Sequence, residues 1–228
     1  MYFYSNDYIK FKRILNENNL FFSSDILNKL CNSKLKIQIN LLYENLKEKG
    51  FYPLKVSDEE IYYVCFGSKE ILKSDLKKFH IYDDNNLSWY GNKKVKYFLN
   101  VNVSKYINIS LGGSNVKENT ENIIIYSISS LNEIRSIDVN SLDDTNLYIF
   151  SNDPLKMLSF ISDVILLVEA KYDSKFAGIV DEMISYGKEV LVAPGDVWNK
   201  NCYFSNYLIK EGASVILSKT DLNMYLKK

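Results

Sequence analysis

Few residues of this 228-residue chain combine the type and the spacing that chemistry needs. His80 is its only histidine, which removes most metal sites and serine–histidine relays at once. The cysteines Cys31, Cys65 and Cys202 are odd in number, far apart and without a CxxC pair. They indicate neither a disulfide framework nor a zinc site. Cys202 has no histidine near it in sequence, so a nucleophilic thiol is not expected. Glu169 ends an apolar run, with Asp173 and Asp196 as possible carboxylate partners. Glycoside or metal chemistry could be drawn from such a set. No ligand spacing supports it, and a structural hydrogen bond is the favoured reading of Glu169.

Two further stretches point towards phosphate. Gly112-Gly113-Ser114-Asn115 follows a predicted strand, where glycines let backbone N–H groups approach an anion. It matches neither GxGxxG nor GxxxxGK[ST], and a plain tight turn reads the same way. Lys171, Lys175 and Lys200 are interleaved with Tyr172, Trp198 and Tyr203. Basic residues among aromatics suit a single nucleic-acid strand, which offers phosphates to neutralise and bases to stack. Surface lysines beside half-buried rings are the equal alternative.

These residues need a scaffold, and the apolar runs supply one. Val164 to Val168 and Val190 to Ala193 read as buried parallel strands, separated by a helix that Ser174 can cap and Gly187 closes. A short helix ending at Gly212, a strand at Val215 to Leu217 and a helix after Thr220 complete the pattern. Upstream, strands are predicted at Ile61 to Phe66, Phe79 to Tyr82, Tyr106 to Leu111, Ile123 to Ile128 and Leu147 to Phe150. A helix over Gly91 to Leu99 carries Lys93, Lys94 and Lys96, and Asp153-Pro154 opens another. Residues 1–50 carry helical spacing through Leu35, Ile39, Leu42 and Leu46, closing at Gly50. The expectation is a doubly wound, mostly parallel Rossmann-like α/β sheet over 51–228 with a small helical head at 1–50. Ligands of such sheets lie beyond the carboxyl ends of the strands.

Composition narrows the function classes. Formal net charge is zero, so no global field draws the chain to nucleic acid or membrane. Arg13 and Arg135 are the only arginines, which leaves the cationic side chains as point charges rather than bidentate phosphate forks. No run reaches membrane-spanning length and the first residues lack an apolar signal core, so a cytoplasmic protein is expected.

The stretch from Ser162 to Ala213 resembles the DNA-processing protein DprA (Smf) family. Its SDVILLVEA at Ser162–Ala170, VLVAPG at Val190–Gly195 and SNYLIKEGA at Ser205–Ala213 match SDxVLVVEA, GRxVFAVPG and GTNxLIxEGA without a gap. Ser174 stands for the first serine of SGSLITA. The earlier motifs are degenerate: of the GSR-T-YG loop only Tyr90-Gly91 survives, the SGxAxGID turn becomes Leu111 to Asn115, and RNRxIAxLSD loses its arginines around Asn152. No counterpart of the winged-helix extension found in many members is expected. The resemblance implies a Rossmann-like fold, binding of single-stranded DNA in a basic pocket, loading of a RecA-type recombinase and a homodimer. It implies no catalysis, cofactor or metal. If single-stranded DNA is bound, the residues expected to bind it are Lys93, Lys94, Gly112, Gly113, Ser114, Asn115, Asn152, Lys171, Ser174, Lys175, Trp198 and Lys200, other lysines standing in for the family's arginines. Because the pocket arginines are replaced, two other readings stand beside it. One is a degenerate paralogue that serves as a dimerisation or partner module. The other is a nucleotide sensor or hydrolase at the same strand ends.

Overall fold

The computed structural model describes residues 50–53, 63–82, 87–101, 106–117, 120–128, 133–134, 137–172 and 177–227. The helical head expected at 1–50 falls almost wholly outside them, as do Ser174, Lys175 and Asp173. The described residues fall into two compact units. One takes in those up to Lys69 together with Ile124–Pro154, the other Glu70–Ile123 with Leu155 onward.

The first unit carries the antiparallel pairings. Strand β1 (Tyr52–Pro53) pairs with β2 (Tyr63–Gly67), and β2 pairs with β6 (Leu147–Ser151), both antiparallel. Strand β5 (Asn122–Ser127) follows β6 in the order. Gly67 adopts φ 97°, and a Cβ there would stand 2.1 Å from the Asn146 carbonyl oxygen, so only glycine fits this crossing of two backbones.

The second unit is the parallel sheet that the apolar runs predict. It holds α1 (Glu70–Lys73), β3 (Lys78–Tyr82), α2 (Trp89–Leu99), β4 (Ile107–Leu111), α3 (Pro154–Ile161) and β7 (Val164–Leu167). It continues through α4 (Ala177–Ser185), β8 (Glu189–Val192), α5 (Tyr203–Lys210), β9 (Ser214–Val215) and α6 (Lys219–Leu226). The strand order is β4-β3-β7-β8-β9, and each pairing is parallel. All four residues of β7 are buried, because helices cover both faces. Phe79, Ile81, Val164, Leu166, Leu191 and Ala193 pack on one face against Val95 and Phe98 of α2 and Leu222 and Leu226 of α6. On the other face Ile165, Leu167 and Val192 are buried, and α4 and α5 pack on β8 through Ile179, Val180, Met183 and Leu208. The architecture is a mostly parallel, Rossmann-like α/β sheet.

Among the ends that differ from the sequence reading by a residue or two, the last strand and helix show local reasons. Strand β9 stops at Val215 rather than Leu217, because the Leu217 N–H donates to Asp221 Oδ2 (2.9 Å) instead of to a strand. Helix α6 starts before Thr220, because Ser218 and Asp221 close a reciprocal capping box around Lys219.

Candidate nucleic-acid interface

Glu169 follows β7 and is 2% exposed, so its charge needs partners. Its Oε2 accepts the Ser88 N–H (2.8 Å), its Oε1 accepts the Ser88 hydroxyl, and Asn199 Nδ2 donates to Oε1 at 3.4 Å. Ser88 in turn caps α2, its hydroxyl oxygen accepting the Gly91 N–H at 3.1 Å. The carboxylate therefore sits at the end of α2 where free N–H groups and the helix dipole favour an anion. Gly91 leaves the room for it: a Cβ there would lie 2.6 Å from Glu169 Oε2. Glu169 is thus a structural tie between β7 and α2. Asp196 is exposed and accepts the Trp198 N–H at 2.9 Å. Among the described residues no group of three His, Cys, Asp or Glu side chains could hold a metal ion.

The turn after β4 is shaped by its own residues. Gly112, Gly113 and Asn115 adopt φ of 62°, 79° and 59°, conformations that favour glycine and asparagine. The Ser114 N–H and hydroxyl both donate to the Leu111 carbonyl, at 3.2 and 2.8 Å. Asn108 Nδ2 holds the Asn115 carbonyl at 2.9 Å. A Cβ on Gly112 would meet nothing within 4 Å, so its backbone geometry, and not crowding, calls for glycine there. The turn faces open space at the carboxyl end of β4.

Lys171 and Trp198 lie at the same end of the sheet, after β7 and β8. Lys171 is half-buried and Trp198 is 86% exposed. Asn199 caps the 3-10 turn Lys200–Cys202, and Lys200 is exposed on it. Tyr172 packs against Phe204 (5.8 Å between ring centroids) and Tyr207 (5.5 Å), leaving Tyr172, Tyr203 and Tyr207 exposed over α5. Strands stand about 4.8 Å apart, so the glycine turn is about 10 Å from the end of β7 and about 14 Å from that of β8. The site residues form a row along the strand ends. Asn152 is half-buried after β6, in the first unit.

Lys93 and Lys94 serve a different wall. Lys93 Nζ stands 3.7 Å over the Trp89 ring, and Lys94 Nζ donates to the Pro194 carbonyl at 2.8 Å. They border a groove of about 320 Å³ between α2 and the carboxyl ends of β8 and β9. The sequence singles out the lysines of α2 and, as a motif remnant, Tyr90, but not the exposed rings of Trp89 and Tyr97 beside them. The available signal was the spacing Tyr90, Lys93, Lys94, Tyr97, which shares one helical face.

The buried titratable groups are built for inertness. Burial, then the nearby Glu169 carboxylate, pushes the Cys202 thiol up, which disfavours a thiolate nucleophile. Burial also lowers His80 to about 4; its Nδ1 donates to the Ile109 carbonyl at 2.9 Å, and Nε2 has no partner.

A parallel sheet covered on both faces, with turns and exposed rings along its strand ends, defines a Rossmann-like class in which ligands meet the carboxyl edge. Within that class the chain has the fold of DNA processing protein A. The Streptococcus pneumoniae DprA structure superposes with a TM-score of 0.62 at 14% identity, covering 98% of this chain and 94% of its own. The Helicobacter pylori DprA structure, described for a unique single-stranded DNA binding mode of that protein, gives 0.58 at 15% identity over 77% of this chain and 95% of its own. No protein-family model and no curated protein matches the sequence.

Proposed function

We propose that this protein binds single-stranded DNA along the carboxyl ends of its parallel strands and performs no catalysis there. The observation that carries the reading is the set of rings and lysines on that edge: Trp198, Tyr172, Tyr203 and Lys200 are exposed and Lys171 is half-buried beside them in sequence. Rings that stay in water are available to stack on bases, and ammonium groups between them neutralise phosphates. The fold shared with DprA favours the same ligand. Ser174 and Lys175 extend the set in sequence, the N–H groups of Gly112 and Gly113 add backbone donors at β4, and Asn152 is assigned to the same ligand by the family resemblance. A RecA-type recombinase partner, a cytoplasmic setting and a helical head at 1–50 belong to this reading.

A homodimer belongs to it as well. Edge strand β9 and helix α6 expose Val215, Leu217 and Met224, apolar side chains suited to a second copy. If DNA binding is absent, this edge favours the partner-module reading, and sedimentation velocity reads it directly.

The test is a salt titration of binding to fluorescent oligo(dT). Affinity is expected to fall with salt, the log–log slope being about −0.7 per neutralised phosphate. Lys171→Glu with Lys200→Glu should make that slope shallower and weaken binding. No binding at low salt refutes the proposal.

A further inference from the structure

The groove beside α2 has features that its packing role leaves unused. Tyr90, Lys93, Lys94 and Tyr97 fall at i, i+3, i+4 and i+7, so one helical face presents ring, two ammonium groups and ring. This face forms one wall of the 320 Å³ groove, and Pro194 and Leu217 at the ends of β8 and β9 form the other. Helix α2 contains three lysines and no acidic residue, in a chain whose net charge is zero. Lys219 adds a further cation next to Tyr97, its Nζ 4.7 Å over that ring and donating to the Asn100 carbonyl at 2.7 Å. Tyr90 is 70% exposed, although it is an aromatic residue next to an apolar floor. Lys94 is fixed to the Pro194 carbonyl, which holds the two walls together.

We infer that this groove is a second DNA subsite, seating stacked bases of a single strand between Tyr90 and Tyr97 with phosphates on Lys93 and Lys219. The inference rests on the proposed binding at the strand ends and extends that path around the sheet's edge onto α2. Seven residues of helix rise span about 10 Å, which matches about three stacked nucleotide steps of about 3.4 Å. Charge complementarity favours a polyanion over an apolar partner. Exposed rings tolerate any base, so the subsite adds affinity without sequence preference.

The two tryptophans give each subsite its own reporter, Trp198 on the β8 loop and Trp89 beside the groove, its ring 4.8 Å from that of Tyr90. In Trp198→Phe the only tryptophan left is Trp89, and its emission is followed while anisotropy reports binding of oligo(dT). Quenching of Trp89 in step with anisotropy is expected. Tyr90→Ala with Tyr97→Ala should raise Kd by about 5-fold or more per ring, and Tyr90→Phe with Tyr97→Phe should restore binding. Both positions are exposed, and far-ultraviolet circular dichroism confirms that the variants fold. If oligo(dT) binds while Trp89 stays silent and the alanine variants bind as tightly, the groove inference falls and strand-end binding stands. If wild-type protein binds no oligo(dT), both fall. If Trp89 emission changes with protein concentration in the absence of DNA and does not respond to oligo(dT), a second copy fills the groove and the proposal is overturned.

Discussion

Gly91→Ala is the sharpest test of the tie between β7 and α2. On an isolated helix this substitution stabilises by about 1 kcal/mol, because alanine loses less backbone entropy. Here the new Cβ would stand 2.6 Å from both Glu169 Cδ and Oε2 and 3.0 Å from Oε1. The carboxylate cannot move aside cheaply, since it is buried and holds the Ser88 N–H and hydroxyl. Displacing it costs two hydrogen bonds to a charged group, each worth about 1.5–3 kcal/mol. Less the propensity gain, Gly91→Ala should destabilise by about 2–5 kcal/mol. Urea unfolding should show a lower midpoint at unchanged m, the signature of a stability change. With Glu169→Ala as background the obstruction is gone, and the same substitution should stabilise by about 1 kcal/mol. A reversal of sign between backgrounds is a coupling that two independent sites cannot give. If Gly91→Ala raises the midpoint with Glu169 present, the tie is not under load and the reasoning is wrong.

His80 makes stability depend on pH. Its folded pKa, about 4, lies below the ordinary 6.5, so the unfolded chain binds the proton more tightly. The stabilisation is complete above pH 6.5 and is lost as pH falls towards 4, by about 3 kcal/mol in all. Urea midpoints measured across that window should fall in wild type, and the fall should be shallower in His80→Leu. Ser218→Ala removes the N-cap of α6, whose hydroxyl accepts the Asp221 N–H at 3.2 Å. It should cost about 1 kcal/mol by thermal unfolding, and Ser218→Asp should recover most of it.

The sequence by itself determined the elements that local physics controls. Val164–Leu167 reads as a buried parallel strand because four consecutive apolar residues suit a sheet covered on both faces. Asp153-Pro154 opens α3 and the glycine turn follows β4, because caps and left-handed turns are written in a few adjacent residues. The match from Ser162 to Ala213 covers β7, β8 and α5, the framework whose periodicity is strongest. Pairings between distant residues were decided only in the tertiary structure. The strand order β4-β3-β7-β8-β9 brings Glu169 to Ser88, 81 positions away, and so supplies the partner of the structural hydrogen bond that the sequence could only suggest. It also brings Lys94 to Pro194, 100 positions away, and so closes the groove beside α2. The antiparallel run of β1, β2 and β6 likewise appears only once the strands pair. Periodicity states which face of an element is apolar. Which neighbour covers that face depends on long-range register, and no window of local sequence contains it.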